Sequence, residues 1–249
     1  MKKPIVTIML CCLSLIAFAQ TSFLADQKRY SRVRAAITEK EALVIDKLSL
    51  SNIDISELNI LIIAYKDESE IDLYAKKKNE TIYSKLVTYK VCSKSGVLGP
   101  KRKQGDYQVP EGFYYVDRFN PTSNFHLSLG INYPNQSDKI KSSARYLGGD
   151  IFIHGDCVTI GCLPMTDDKI KEIYLYAINA KNNGQKKIPV YIFPFKITDQ
   201  NLAEFHKAHG NNQDLNDFWS NIKLGYDKFH KDMKELNFSI GNAGDYVFE

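Results

Sequence analysis

The sequence predicts an α+β fold, a mixed and β-rich core flanked by helices at its N- and C-terminal ends. Three observations lead there. From Asp26 to Leu50, apolar side chains recur at approximately helical spacing among Lys, Arg and Glu. Between Ile60 and His154 the apolar runs are short, rich in β-branched and aromatic residues, and broken by Gly, Pro and Asn. Beyond Thr166 the helical period returns.

Taken in order, the N-terminus reads as an export signal. Lys2 and Lys3 precede an apolar run from Ile5 to Phe18, interrupted only by Thr7 and Ser14, and Ala17-Phe18-Ala19 has the A-x-A form of a cleavage site before Gln20. The run is short for a membrane span, and no later apolar stretch is longer. Leu10-Cys11-Cys12 lacks the small residue that a lipidation site would place before its cysteine. We therefore expect a signal peptide at 1–19 and an N-terminal helical segment at 20–55, the latter burying Tyr30, Val33, Ile37, Leu43 and Leu48.

Ile60 to Tyr65 reads as a buried strand, with Ile71 to Tyr74 returning as a hairpin. Thr81 to Val91, Gly112 to Arg118, Phe125 to Leu129 and Val190 to Phe193 are further strands. Ser95 to Asp106 is loop, punctuated by Gly and Pro, and Tyr133-Pro134-Asn135 is a turn. Ile151 to Ile153 is a strand that ends on His154. Thr166 caps a helix that runs to Asn182, with Asp167 and Asp168 in its first turn and Gly184 after its end. Asn201 to His209 and Leu215 to Leu236 close the chain as two helices.

The composition is that of a globular protein, 44% hydrophobic and 25% charged. The formal net charge is +4, or +2 once Lys2 and Lys3 are removed (4 − 2), and no basic stripe interleaves with aromatics, which argues against a nucleic-acid partner. The basic triplet Lys101-Arg102-Lys103 reads as a solvated loop. His206, His209 and His230 lack a completing Cys or carboxylate, so no metal and no cofactor is expected.

The chemistry concentrates between His154 and Met165. After cleavage three cysteines remain, Cys92, Cys157 and Cys162, and an odd number leaves a thiol that cannot pair within the chain. Cys162 follows Gly161 and directly precedes the predicted helix, whose N-terminal potential would lower its pKa toward thiolate. A nearby imidazole, His154, could act as its base. Gly161 permits a strained turn and close approach of substrate, and backbone N–H groups around Cys162 could form an oxyanion hole. Cys157 is either a small buried residue or a resolving thiol that protects Cys162 as a disulfide.

His154-Gly155, six residues, then Gly161-Cys162, with Thr159-Ile160 before the glycine, resembles the signature of L,D-transpeptidases with the YkuD-type catalytic domain. Gly99-Pro100-Lys101, Gly105-Asp106, Val109 to Tyr114, Tyr133-Pro134-Asn135, Phe193-Pro194-Phe195 and the closing Phe218, Trp219, Gly225, Tyr226 and Phe229 extend the likeness over most of the chain. Two features resemble a divergent branch. Ile160 stands where the common pattern has a second His, and the Cys lies only eight positions after the His (162 − 154). Pro164 stands where the main branch often carries Arg or Asn.

The resemblance implies an L,D-transpeptidase-like catalytic domain at 56–249, with Cys162 as nucleophile, His154 as base and the Gly155 carbonyl orienting the imidazole. It places Tyr133, Asn135 and Thr159 along a substrate channel. It implies a periplasmic acyltransferase acting on peptidoglycan stem peptides through a thioester, without a cofactor. A hydrolase, either L,D-endopeptidase or amidase, would use the same two residues, and a binding module that had lost activity would have no need of them.

Overall fold

A computed structural model describes residues 22–208 and 210–249. The expected signal segment lies outside them, and no described helix is long and apolar enough to cross a membrane. The core is one curled sheet of eight strands: β1 (Leu58–Tyr65), β2 (Glu70–Lys77), β3 (Ser84–Lys90), β4 (Gly112–Ser123), β5 (His126–Ile131), β6 (Phe152–His154), β7 (Leu163–Pro164) and β8 (Pro189–Phe193), in the order β3-β2-β1-β8-β4-β5-β6-β7. β1 runs parallel to β8 and β6 parallel to β7, and the other pairs are antiparallel. β9 (Phe238–Ile240) and β10 (Tyr246–Phe248) form a separate hairpin.

Alternation along β1 builds two cores. Leu58, Ile60, Ile62 and Ala64 face a layer that holds Val33 and Leu48 of α2 (Ser31–Leu50) and Ile173 and Ala177 of α4 (Asp167–Asn182). Leu61, Ile63 and Tyr65 face the opposite layer, with Phe218, Trp219, Ile222 and Phe229 of α6 (Gln213–Asp232), which follows α5 (Asp199–Ala208), and Tyr246 of the hairpin. The sheet is thus buried on both faces, which is why β1 reads as a continuous apolar run.

The N-terminal helix is interrupted where one was expected. α1 (Phe23–Gln27) ends before a turn, and α2 restarts at Ser31, with Arg34 donating to the carbonyls of Lys28 and Arg29 across the break. The break changes the buried face: Val33, Ala36, Val44 and Leu48 point inward, whereas Tyr30 and Leu43 are exposed. The side chain of Arg32 donates to the carbonyls of Ser123 and His126, pinning the start of α2 to the β4–β5 turn. Buried Glu172 of α4 accepts from Lys47 Nζ at 2.7 Å and Tyr89 OH at 2.9 Å, joining α2 to β3.

Tyr133-Pro134-Asn135 leads into a short helix, α3 (Gln136–Lys141), where only a turn was expected. Asn135 is its N-cap and forms a capping box with Asp138. Asp138 also accepts from Arg102 and Tyr114 at 3.1 Å, and burial nevertheless pushes its carboxyl up to about 6. A carboxyl raised on folding favours the native state below its unfolded value of 3.8, and that stability is lost as pH rises to about 6. Urea unfolding at pH 4 and pH 7 should show a loss on the order of 1–3 kcal/mol from this group, absent in Asp138→Asn. An equal slope in both proteins would count against it.

Candidate active site

β6 and β7 bring the two candidate catalytic residues together. Ile153 and His154 register with Leu163 and Pro164 of the parallel strand β7. Continued by one position, that register sets Cys162, which precedes β7, opposite Phe152, whose N–H meets the thiol. Cys162 and His154 therefore project from the same face of the sheet edge as diagonal neighbours, a spacing that side chains can bridge. The pairing places them there although the intervening loop from Gly155 to Gly161 carries no regular structure.

His154 is buried and its ring is held on one side. Nδ1 lies 2.5 Å from the carbonyl of Gly155, so Nδ1 carries the proton and Nε2 is left as the basic nitrogen of the neutral ring. Phe125 packs against the imidazole, with ring centroids 4.8 Å apart. Gly155 has a steric reason to be glycine: a Cβ there would come within 2.6 Å of Asp167 Oδ1 and 2.9 Å of His126 Cβ. Gly161 has a conformational one, with φ +136°, and its Cα faces the carbonyl of Gln108, which a Cβ would approach to 3.0 Å.

The cysteines pair differently from the expected protective disulfide. Cys157 is bonded to Cys92, 65 positions away, and Cys162 is the free thiol. The Cys157–Cys162 disulfide is therefore corrected. Cys157 is also exposed rather than buried. The observed bond ties the loop before Cys162 to the end of β3, and Cys92 N–H adds a hydrogen bond to the Pro164 carbonyl at 3.0 Å.

Cys162 does not sit on a helix N-terminus. β7 and Met165 come between it and α4, whose cap is Thr166. Burial dominates instead and pushes the thiol up from 9.0, with the Asp150 carboxylate adding to the rise and the Phe152 N–H and Lys101 opposing it. Burial likewise pushes His154 below 6.5, partly offset by the Gly155 hydrogen bond. The resting pair is thus a neutral thiol beside a neutral imidazole. Alkylation of Cys162 by iodoacetamide should be slow at pH 6 and still be accelerating at pH 9.0, the ordinary thiol value. Full-rate labelling at pH 6 would contradict this.

Three residues expected along a substrate channel have other work. Thr159 Oγ1 accepts from Gly161 N at 3.2 Å and Cys162 N at 2.8 Å and donates to the Cys162 carbonyl at 2.9 Å. It shapes the Gly161-Cys162 turn and occupies the N–H groups that the sequence offered as oxyanion donors. Tyr133 is buried and its hydroxyl donates to the carbonyls of Lys101 and Leu147, both at 3.3 Å. Asn135 donates from Nδ2 to Phe113 O and to Tyr246 OH. Both hold the fold rather than line the cavity at Cys162. The basic triplet is also tied down: Lys101 is buried against Asp106 and Arg102 pairs with Asp138.

Other candidates are placed as follows. Asp167 accepts from Asp156 N at 2.9 Å and Asp168 pairs with Lys40, as first-turn carboxylates. His230 is bonded through both ring nitrogens, to Tyr226 O and Tyr65 OH. Among the described residues, no group of three or more His, Cys, Asp or Glu is placed to hold a metal.

A pocket of about 160 Å³ opens at Cys162 and Leu163, between the β1–β2 turn at Lys66 to Ser69 and the loop from Ser93 to Leu98. Behind its lining residue Lys66 lies buried chemistry that no periodic pattern revealed. Glu111, fully buried, accepts from Lys66 Nζ and Gly99 N at 2.7 Å and from Trp219 Nε1 at 2.9 Å. The nearest sequence signal was Pro110-Glu111-Gly112 itself.

Comparison with known proteins identifies the family of the chain. YafK of Escherichia coli strain K12, whose name assigns it provisionally to the L,D-transpeptidases, is 40% identical over 185 residues, which is 74% of this chain and 71% of YafK. The YafK of Escherichia coli O157:H7 matches to the same extent. Among solved structures, the helical cell shape determining protein Pgp2 of Campylobacter jejuni aligns over 74% of this chain and 73% of its own, with 18% identity and a TM-score of 0.44. Bd1075 of Bdellovibrio bacteriovorus aligns over 68% of this chain and 60% of its own, with 21% identity and a TM-score of 0.39. The L,D-transpeptidase catalytic domain model, YkuD, matches residues 60–192, a span that runs from β1 to β8 and encloses both His154 and Cys162. The chain belongs to the YkuD family of L,D-transpeptidase catalytic domains.

Proposed function

We propose that this protein is an exported cysteine acyltransferase that acts on peptidoglycan stem peptides. The observation that carries the reading is a free thiol, Cys162, one diagonal step across β6–β7 from an imidazole whose Nδ1 is held by Gly155. His154 Nε2 takes the thiol proton as Sγ attacks the carbonyl at the L-centre of the stem-peptide diamino acid. The tetrahedral intermediate collapses by breaking the C–N bond to the terminal D-residue, whose amine leaves with the proton from His154. An incoming amine then resolves the thioester to a new amide, or water resolves it to a carboxylate.

A neutral resting pair suits this order of events, because the proton moves as the bond forms rather than beforehand. Export is supported by the signal-like N-terminus and by the Cys92–Cys157 disulfide, a bond at home in an oxidising compartment.

The test is incubation of the mature protein with purified disaccharide-tetrapeptide and cross-linked muropeptides, followed by mass spectrometry. Dimers joined through two diamino acids are the expected product. Cleavage without new dimers would reassign the same two residues to hydrolysis. No change in either substrate would remove the reading.

A further inference from the structure

We propose that the pocket beside Cys162 binds the free C-terminal carboxylate of the peptide to be cleaved, with Lys94 as its cation. The inference rests on the acyl-transfer reading and adds the chemistry by which this chain recognises the leaving end. Leu163 and Pro164, which follow the nucleophile, are apolar and buried. A carboxylate arriving at Cys162 therefore needs its counter-charge from elsewhere.

Three lysines lie close to the site, and only one is available. Lys66 spends its three N–H donors on Gly99 O at 2.7 Å, Val109 O at 3.0 Å and Glu111 Oε1 at 2.7 Å. Lys101 is closed by Asp106 and by the Lys103 carbonyl. Lys94 lines the pocket, is exposed, and has one partner, the backbone carbonyl of Asp67 at 2.5 Å. Among the described residues no carboxylate pairs with it, and two of its donors are left for a ligand. The exposed Asp67 side chain is the one acidic group among the lining residues.

The same wall carries a second unmet polar group. Ser69 Oγ is buried without a hydrogen-bond partner, and Ser93 and Ser95 are also part of the lining. The remaining surface is Val91, Val97, Leu98, Val109 and Leu163. A cation and hydroxyls set against an aliphatic surface suit an amino-acid residue with a small apolar side chain and a free carboxylate. They do not suit a sugar, whose many hydroxyls would meet the aliphatic face.

The experiment uses the full mature chain carrying Cys162→Ala, so that binding is read without turnover. The probes are an acetylated stem tetrapeptide with a free terminal carboxylate and the same peptide as its terminal carboxamide, measured by calorimetry. The acid should bind about tenfold more tightly than the amide, as a charge-assisted hydrogen bond provides. Adding Lys94→Gln should erase that preference by weakening the acid alone, and Lys94→Arg should retain part of it. Equal affinity for acid and amide, an unchanged preference in the Lys94→Gln protein, or no binding of either peptide would overturn the proposal. A clear acid preference with no turnover by the intact chain would remove the acyl-transfer reading and leave the carboxylate site standing. Turnover without acid preference would do the reverse.

Discussion

Cys162→Ala should lower kcat on a stem-peptide substrate by at least about 10⁴-fold, since Cys162 is the one thiol among the lining residues of the pocket. His154→Gln should cost about 10³-fold or more, because an amide can occupy the ring's place but cannot take a proton. The two losses should not add, as nucleophile and base act in the same step. Neither change should unfold the protein. Cys162 Sγ meets only the Asp150 carbonyl, at 3.7 Å, and the Phe152 N–H among the described residues, so the melting temperature of Cys162→Ala should stay close to that of the parent. Turnover of Cys162→Ala within tenfold of the parent would sink the covalent mechanism. The pH profile carries a further check. Burial lowers His154 below 6.5 and raises Cys162 above 9.0, so the acid limb of kcat/KM should have its midpoint below pH 6.5.

The second large effect is on stability. Glu111→Ala should cost about 3–5 kcal/mol, read by chemical denaturation, and lower Tm by roughly 10 °C in a chain of this size. The carboxylate is fully buried and accepts from Lys66, Gly99 and Trp219. Removing it strands the Lys66 ammonium, whose side chain is only 6% exposed, and also leaves the Trp219 N–H without this acceptor. Glu111→Gln should cost less, since an amide oxygen still accepts while the charge is lost. Lys66 and Gly99 border the Cys162 pocket and its neighbouring loop, so the variant should also lose activity before it unfolds. A cost below about 1 kcal/mol would mean that water replaces the carboxylate at this position.

The local signals of the sequence translated well where a residue and its near neighbours decide the outcome. Ile151 to His154 alternates and stops, and β6 ends on His154. Thr166 has the side chain for an N-cap and makes that bond, to Lys169 N. The apolar run at Ile60 to Tyr65 is continuous because both faces of β1 are covered. The C-terminal hairpin of β9 and β10 escaped notice because each strand is three residues long, too short to show a period.

The site divides along the same line. The sequence by itself determined that a His at a strand end, a glycine turn and a cysteine lie within nine residues, and that one thiol of three must stay unpaired. Those are consequences of order along the chain and of counting. Only the tertiary structure decided which thiol that is, because Cys92 reaches Cys157 through the return of β3 toward β7, across 65 positions. It also reversed the direction of the Cys162 pKa, since burial at the sheet edge outweighs a helix end that stands farther off than the spacing suggested. Tyr133, Asn135 and Thr159 carry hydrogen-bonding groups that suit a ligand as well as a fold. Which of the two they serve depends on the acceptors and donors that distant segments bring to them, and those partners are set by packing rather than by sequence spacing.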